Sequence, residues 1–229
     1  MPRSPDSTTA AACLNTDGPR LTRRATLGLL AVAPGLLLPR QTPTGEPASR
    51  SLFDGRSLGA WKPVVFGGDG EVRIADGAIQ FGRGNDLTGV VWSGALPGPS
   101  YRVALEAMRV DGTDFFCALT FPIAGSHCSL VVGGWGGGVV GLSSLDGLDA
   151  SENETSRGMR LESRRWYAIA VEVTRAYVRA TIDGEPMVDI DVTGRAVDTR
   201  PELELCKPLG LATWRTIGAI RAITLTDRA

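Results

Sequence analysis

Five of the Asp-Gly steps in the sequence divide the chain into short segments, and they constrain the fold more than any other feature of the sequence. They are Asp54-Gly55, Asp76-Gly77, Asp111-Gly112, Asp146-Gly147 and Asp183-Gly184. Asp-Gly tolerates the left-handed backbone of tight turns. The segments around these steps are of strand length and rich in β-branched and aromatic residues. The predicted strands are 72–74, 78–81, 89–92, 101–110, 115–121, 127–132, 139–145, 166–174, 177–182, 187–192, 209–214 and 220–226. With almost no helical period, this pattern predicts an all-β antiparallel sandwich of two sheets.

Residues 51–229 show no internal boundary and are predicted to form a single domain. The first fifty residues hold six Arg and three acidic side chains of the 24 basic and 25 acidic residues in the chain. The remainder therefore carries 18 basic and 22 acidic side chains, a net charge of -4. A mildly acidic body without a Lys/Arg cluster argues against a nucleic-acid partner.

Residues 1–50 have the composition of a leader followed by a linker. Arg23 and Arg24 precede an uncharged, mostly apolar stretch at 25–38, an order typical of a twin-arginine export signal. Pro34 follows the only good small-x-small cleavage site, at 31–33, and would hinder cutting there. The leader is therefore expected either to stay as a membrane anchor or to be cut elsewhere. We expect an exported protein, periplasmic or extracellular, with membrane contact only through an uncleaved leader.

A central hairpin, with strands 115–121 and 127–132 and a loop at 122–126, supplies the first candidate site. Alternation places an apolar set on one face of this hairpin, which we expect to be core. Cys117 and Cys128 share that face, either as two buried thiols or, in an exported chain, as a disulfide. The opposite face mixes hydroxyls, the only histidine and a tryptophan. Its candidate ligand-contacting residues are Thr120, His127, Ser129 and Trp135.

Other candidates lie outside the hairpin. Glu106 is a carboxylate in the middle of a strand, which must face solvent, a cleft or a partner because an unpaired buried charge is too costly. Trp214 could stack on a sugar ring, and Arg215 next to it would supply a cation. The alternative role for Trp214 is packing in the core. His127 has a hydrogen-bonded structural role as its alternative.

An acidic loop places four carboxylates within residues 146–154. They belong to Asp146, Asp149, Glu152 and Glu154. Oxygen-rich loops suit Ca²⁺, so a calcium site is one reading of this segment. The spacing does not match the twelve-residue helix-loop-helix calcium loop, and a solvated acidic loop is the other reading.

Three segments resemble the 3-keto-disaccharide hydrolase family. Residues 51–62 (SLFDGRSLGAWK) are similar to the opening of that family, 74–79 (IADGAI) to a strand and its turn, and 210–215 (GLATWR) to its closing segment. The resemblance implies a concanavalin A-like jelly roll over 51–229 whose concave sheet binds carbohydrate. It also implies cleavage of 3-keto-glycosides, in which a base removes the C2 proton, the C1–O bond breaks by elimination and water then adds.

The family's usual central motifs are absent here, where the chain reads TDFFCAL at 113–119 and VGGWG at 132–136. Their site residues therefore do not carry over. We expect Glu106 and His127 to lie on the same polar face and assign one of them as the base. Arg109 or a metal at the acidic loop is assigned as the group that stabilises the enolate. The alternative functions are a non-catalytic, lectin-like carbohydrate-binding module and an interaction module that neither binds nor cleaves sugar.

Overall fold

A computed structural model describes residues 49–228, which contain fifteen strands and a single 3-10 helix, Pro201–Cys206. The strands are β1 Ser49–Ser51, β2 Trp61–Pro63, β3 Val72–Ala75, β4 Ala78–Phe81, β5 Leu87–Trp92, β6 Tyr101–Asp111, β7 Cys117–Ile123, β8 Ser126–Gly134, β9 Val139–Ser143, β10 Arg157–Gly158, β11 Trp166–Val173, β12 Tyr177–Ile182, β13 Glu185–Asp191, β14 Gly210–Trp214 and β15 Ile217–Asp227. The predicted strands are therefore confirmed, with ends that shift by a few residues.

The strands form two antiparallel sheets. Sheet A has the order β13-β12-β11-β6-β15-β4-β3, and β1 also pairs with β15. Sheet B has the order β10-β9-β8-β7-β14-β5-β2. Strands far apart in the chain lie side by side, as β14 does between β5 and β7. The predicted jelly-roll sandwich is confirmed.

The main core lies between the sheets and follows from alternation along each strand. In β6, Tyr101, Val103 and Leu105 are buried, and the residues between them are partly exposed. Cys117 and Cys128 are buried on the core face of β7 and β8, as predicted. Both are free thiols, because Cys117 pairs in register with Val132 and Cys128 with Phe121, at different levels of the hairpin.

The turns follow the Asp-Gly chemistry at several of the predicted points. Asp76 (φ 52°) and Gly77 (φ 71°) join β3 to β4 with two left-handed residues. The β7–β8 hairpin differs from the prediction of a five-residue loop. Ala124 (φ 50°) and Gly125 (φ 79°) form a two-residue turn, so both strands extend further than expected. Left-handed geometry at an alanine is uncommon, and nothing in Ala-Gly signalled it.

The outer face of sheet B, which points away from sheet A, is covered by the 3-10 helix. Leu203 and Cys206 of this helix pack on a second small apolar cluster that includes Ala118, Val131 and Ala212. Gly210 in β14 makes room for this cover, because a Cβ there would lie 2.7 Å from Cys206 Cβ. Both faces of sheet B are therefore largely buried near its centre.

The predicted leader and linker lie almost wholly outside the described residues, apart from Ser49 and Arg50 in β1. Export by the twin-arginine route stays a prediction. Within residues 49–228, no helix has the length and apolarity needed to cross a membrane.

Candidate functional site

A pocket of about 220 Å³ opens between the turn that follows β8 and the start of the 3-10 helix. We call it the aromatic cleft. Its lining residues are Leu87, Asp114, Phe115, Val131, Trp135, Arg200, Glu202, Leu203 and Trp214. The volume is below the range usual for drug-sized ligands and suits a group of about one ring.

Trp135 forms one side of the aromatic cleft and is unusually exposed for a tryptophan, at 41%. It sits in a left-handed turn with Gly136, at φ 48° and 85°. This turn directs the indole out of the sheet instead of into the core. Such a backbone conformation is costly for a bulky residue and is found where the surroundings hold it in place.

Arg109 holds that turn from the core side. Its guanidinium donates hydrogen bonds to the carbonyl oxygens of Gly137 (2.7 Å) and Gly133 (3.4 Å) and to those of Leu161 (3.1 Å) and Asp114 (3.3 Å). The residue is only 5% exposed, and burial lowers its pKa. The predicted role as an enolate stabiliser is therefore wrong, because Arg109 faces the core and its donors are engaged by the backbone.

Phe115 and Trp214 form the opposite side of the aromatic cleft. Their ring centroids are 6.3 Å apart, and Trp214 N donates to Phe115 O. Arg215 stands behind Trp214, with its guanidinium carbon 5.4 Å from that ring and its charge paired with Asp86. Trp214 therefore lines the cleft, whereas Arg215, a predicted substrate contact, does not.

Two carboxylates and one guanidinium supply the polar groups of the aromatic cleft. Arg200 bonds Glu202 (3.1 Å) and Asp149 (2.6 Å), and its guanidinium lies 5.7 Å from the Trp135 ring centre. Hydrogen bonding from Arg200 lowers the pKa of Glu202, which is thus ionised at neutral pH. Asp114 accepts from its neighbour Phe115 N (2.8 Å), and no Lys or Arg among residues 49–228 pairs with its carboxylate.

Glu106 is far from this cleft. It lies on the outer face of sheet A and forms a 2.6 Å ion pair with Arg221, whose guanidinium stacks 4.0 Å from the Trp166 ring centre. The expectation that Glu106 shares a face with His127 is wrong, because β6 and β8 belong to different sheets.

His127 lies near the start of β8, at the other end of sheet B. Trp135 is eight positions further along the chain, which corresponds to about 25 Å at the usual rise per residue of a strand. Burial and the nearby Lys207 lower the pKa of His127. The imidazole is part of a separate hollow beside Pro122 and Arg175. His127 therefore does not meet the ligand-contacting residues assigned with it.

Thr120 and Ser129 are also removed from any ligand. Both are fully buried, and their hydroxyl oxygens lie 2.8 Å apart in a mutual hydrogen bond. Their prediction as substrate contacts is wrong. Alternation along the strands places both residues on the face opposite the main core, but it does not reveal that this face is buried as well.

Two arginines pair with three of the four carboxylates of the acidic loop. Arg195 bonds both Asp146 and Glu154, each at 2.6 Å, and Arg200 bonds Asp149. Within the described part of the chain, no three His, Cys, Asp or Glu side chains converge as a metal site would require. The predicted calcium set of Asp146, Asp149, Glu152 and Glu154 is therefore not assembled. The guanidinium of Arg195 lies between two of these carboxylates, those of Asp146 and Glu154.

The sequence missed four residues that shape the aromatic cleft: Asp114, Phe115, Arg200 and Glu202. Asp114 directly precedes the first predicted strand of the hairpin, and Phe115 is the first residue of that strand. Arg200 and Glu202 lie in a polar stretch with no strand period, and a sequence gives no signal that such a segment will fold over a sheet.

Neither a family model nor a curated protein matches this chain in sequence. Solved structures do resemble it in fold. The Crh5 transglycosylase in complex with NAG aligns with a TM-score of 0.55 at 10% identity, over 81% of this chain and 85% of that one. The exoplasmic/lumenal domain of VIP36, in a Ca²⁺/Man-bound form, gives 0.52 at 10% identity over 78% and 89%. A galectin-like protein of unknown function from Bacillus subtilis gives 0.51 at 11% identity over 79% and 96%. These similarities show a lectin-like sandwich fold.

Proposed function

We propose that this protein binds carbohydrate in the aromatic cleft. The observation that carries the proposal is the pairing of an exposed Trp135 with Trp214 and Phe115 around a pocket that also presents carboxylates. Aromatic rings pack against the C–H faces of sugar rings, and ionised carboxylates accept hydrogen bonds from hydroxyl groups. A small cleft with these two kinds of group suits a single sugar residue.

The fold adds support. Two of the similar structures, the Crh5 transglycosylase with NAG and VIP36 with Man, were obtained with a sugar bound. Because a shared fold does not establish a shared function, the proposal for this chain rests on the residues of the aromatic cleft.

Cleavage of 3-keto-glycosides is the second candidate function. It is favoured by one observation: an ionised carboxylate, Glu202, and a guanidinium, Arg200, lie in the same cleft. Elimination needs a base and a positive charge near the enolate, which these two groups would supply in place of Glu106, His127 and Arg109. Ordinary glycoside hydrolysis is less well supported, because it needs a carboxylic acid with a raised pKa, and that of Glu202 is lowered.

Removal of either cleft tryptophan is expected to weaken sugar binding. For Trp135→Ala and Trp214→Ala we expect a loss of about tenfold or more, since each change removes a stacking surface. Binding of saccharides identified on a glycan array would be measured by isothermal titration calorimetry. Trp166→Ala, on the outer face of sheet A, is the matched control and should keep full affinity. Equal affinity in all three variants would exclude the aromatic cleft as the sugar site.

Turnover separates the two functions. Residues 49–228 would be incubated with a 3-keto-disaccharide and with its unoxidised parent, and release of 3-ketoglucose would be followed by chromatography. Release from the oxidised sugar alone, abolished in Glu202→Gln and retained in Glu106→Gln, is the result that the hydrolase candidate requires. Binding without release would assign a carbohydrate-binding module.

A further inference from the structure

We propose that the ligand of the aromatic cleft carries an ammonium group, and that Asp114 is the residue that selects it. The inference rests on the proposed function and adds the chemical class of the ligand. It follows from the charges around the cleft and from the free state of one carboxylate.

The charged groups at the aromatic cleft do not balance. Two carboxylates, those of Asp114 and Glu202, and the guanidinium of Arg200 line the aromatic cleft, and Asp149 and Arg109 lie behind them as one further charge of each sign. Arg200 is shared between Asp149 and Glu202, and Arg109 is buried with its donors on backbone carbonyls. The cleft therefore keeps a net negative charge, which attracts cations and repels acidic sugars.

Asp114 is placed to accept hydrogen bonds from a ligand. Its carboxylate lines the cleft and accepts one short hydrogen bond, from Phe115 N at 2.8 Å, while Gly136 N lies at 3.5 Å. A carboxylate has about four acceptor sites, so Asp114 retains acceptors for a ligand. Glu202 retains fewer acceptor sites, because Arg200 already donates a hydrogen bond to each of its oxygens.

The aromatic rings of the cleft also favour a cationic ligand. Ammonium groups are attracted to the faces of tryptophan and phenylalanine rings, and a cage of such rings beside a carboxylate is a known way to hold them. Trp135 and Trp214 already attract guanidinium groups, those of Arg200 and Arg215. An amino sugar would satisfy both preferences, because a single sugar residue carries an ammonium group and a ring that stacks on the aromatic side chains. A choline-type head group has the same charge without the sugar ring.

The test compares three probes by calorimetry at slightly acidic pH, where a sugar amine is protonated. They are glucosamine oligomers, N-acetylglucosamine oligomers of the same length, and choline. We expect the glucosamine oligomer to bind about tenfold more tightly than its acetylated counterpart, an advantage lost in Asp114→Asn and reduced by salt. Glu106→Gln removes a carboxylate from the other sheet and should change nothing.

Each outcome decides one of the two proposals. Equal binding of both oligomers, unaffected by Asp114→Asn, would overturn the ammonium inference and leave carbohydrate binding standing. Choline binding that depends on Asp114, without oligomer binding, would support the ammonium group and reject the sugar. Binding of none of the three probes would overturn the inference. Circular dichroism of Asp114→Asn would show that the variant is folded, since the backbone contact of residue 114 with Thr216 is unchanged by the substitution.

Discussion

Arg109→Met is expected to lower the free energy of unfolding by about 3–5 kcal/mol, because each buried polar group left without a partner costs about 1–3 kcal/mol. Methionine has a similar length, so little volume is lost. The loss comes from four backbone carbonyls, of Asp114, Gly133, Gly137 and Leu161, that would be left without a buried donor. Chemical denaturation followed by tryptophan fluorescence measures the change.

The same substitution should also weaken ligand binding, because these carbonyls belong to the segments that carry Asp114 and Trp135. Arg102→Met is the matched control. It lies on the same strand but faces outward, in a 3.4 Å ion pair with Glu172, and exposed pairs contribute about 1 kcal/mol or less. A loss for Arg109→Met no larger than that of the control would mean that the buried hydrogen bonds do not stabilise the fold.

Gly210→Ala is expected to destabilise the protein by about 1–3 kcal/mol, the usual effect of overpacking. The added methyl group would lie 2.7 Å from Cys206 Cβ and would also meet Cys206 O. Backbone has to move to relieve this contact, so the 3-10 helix would be lifted from sheet B. Because Leu203 and Glu202 belong to that helix and line the aromatic cleft, we also expect weaker ligand binding.

Gly158→Ala is the control for this change. Gly158 is also a strand residue, and a Cβ there has no neighbour within 4 Å and no left-handed backbone to strain. The free energy of unfolding of this variant should lie within about 0.5 kcal/mol of that of the parent protein. Stability of Gly210→Ala equal to that of Gly158→Ala would show that the 3-10 helix is not held closely against the sheet.

Much of the fold was predictable because local signals and tertiary structure agree along most strands. The alternation in β6 reads directly as one buried and one outward face, and Asp76-Gly77 forms the turn that its chemistry favours. The turn between β7 and β8 is an exception. Ala124-Gly125 makes an equally tight turn without a favourable residue at the first position, because the flanking strands pair over their full length and impose it.

The aromatic cleft was predictable only in part. Trp135 and Trp214 were identified as candidates, Trp135 because it stands among glycines after a strand and Trp214 because Arg215 follows it. Glu106 and His127 were assigned to one face because alternation fixes the face of a strand but not the sheet to which it belongs. Arg200 and Glu202 enter the cleft through a segment that crosses the sheet, and that path depends on long-range packing that no local pattern encodes.

The cover on sheet B also limits the shape of any ligand. A polysaccharide that lies across a concave sheet needs an open trough from one edge to the other, with successive subsites for its rings. Here the centre of the outer face is filled by Leu203 and Cys206, and Thr120 and Ser129 beneath it are sealed from solvent. Only the rim beyond the cover is accessible. We therefore expect recognition of chain ends or single-residue branches, and no affinity for the interior of a long, unbranched polymer.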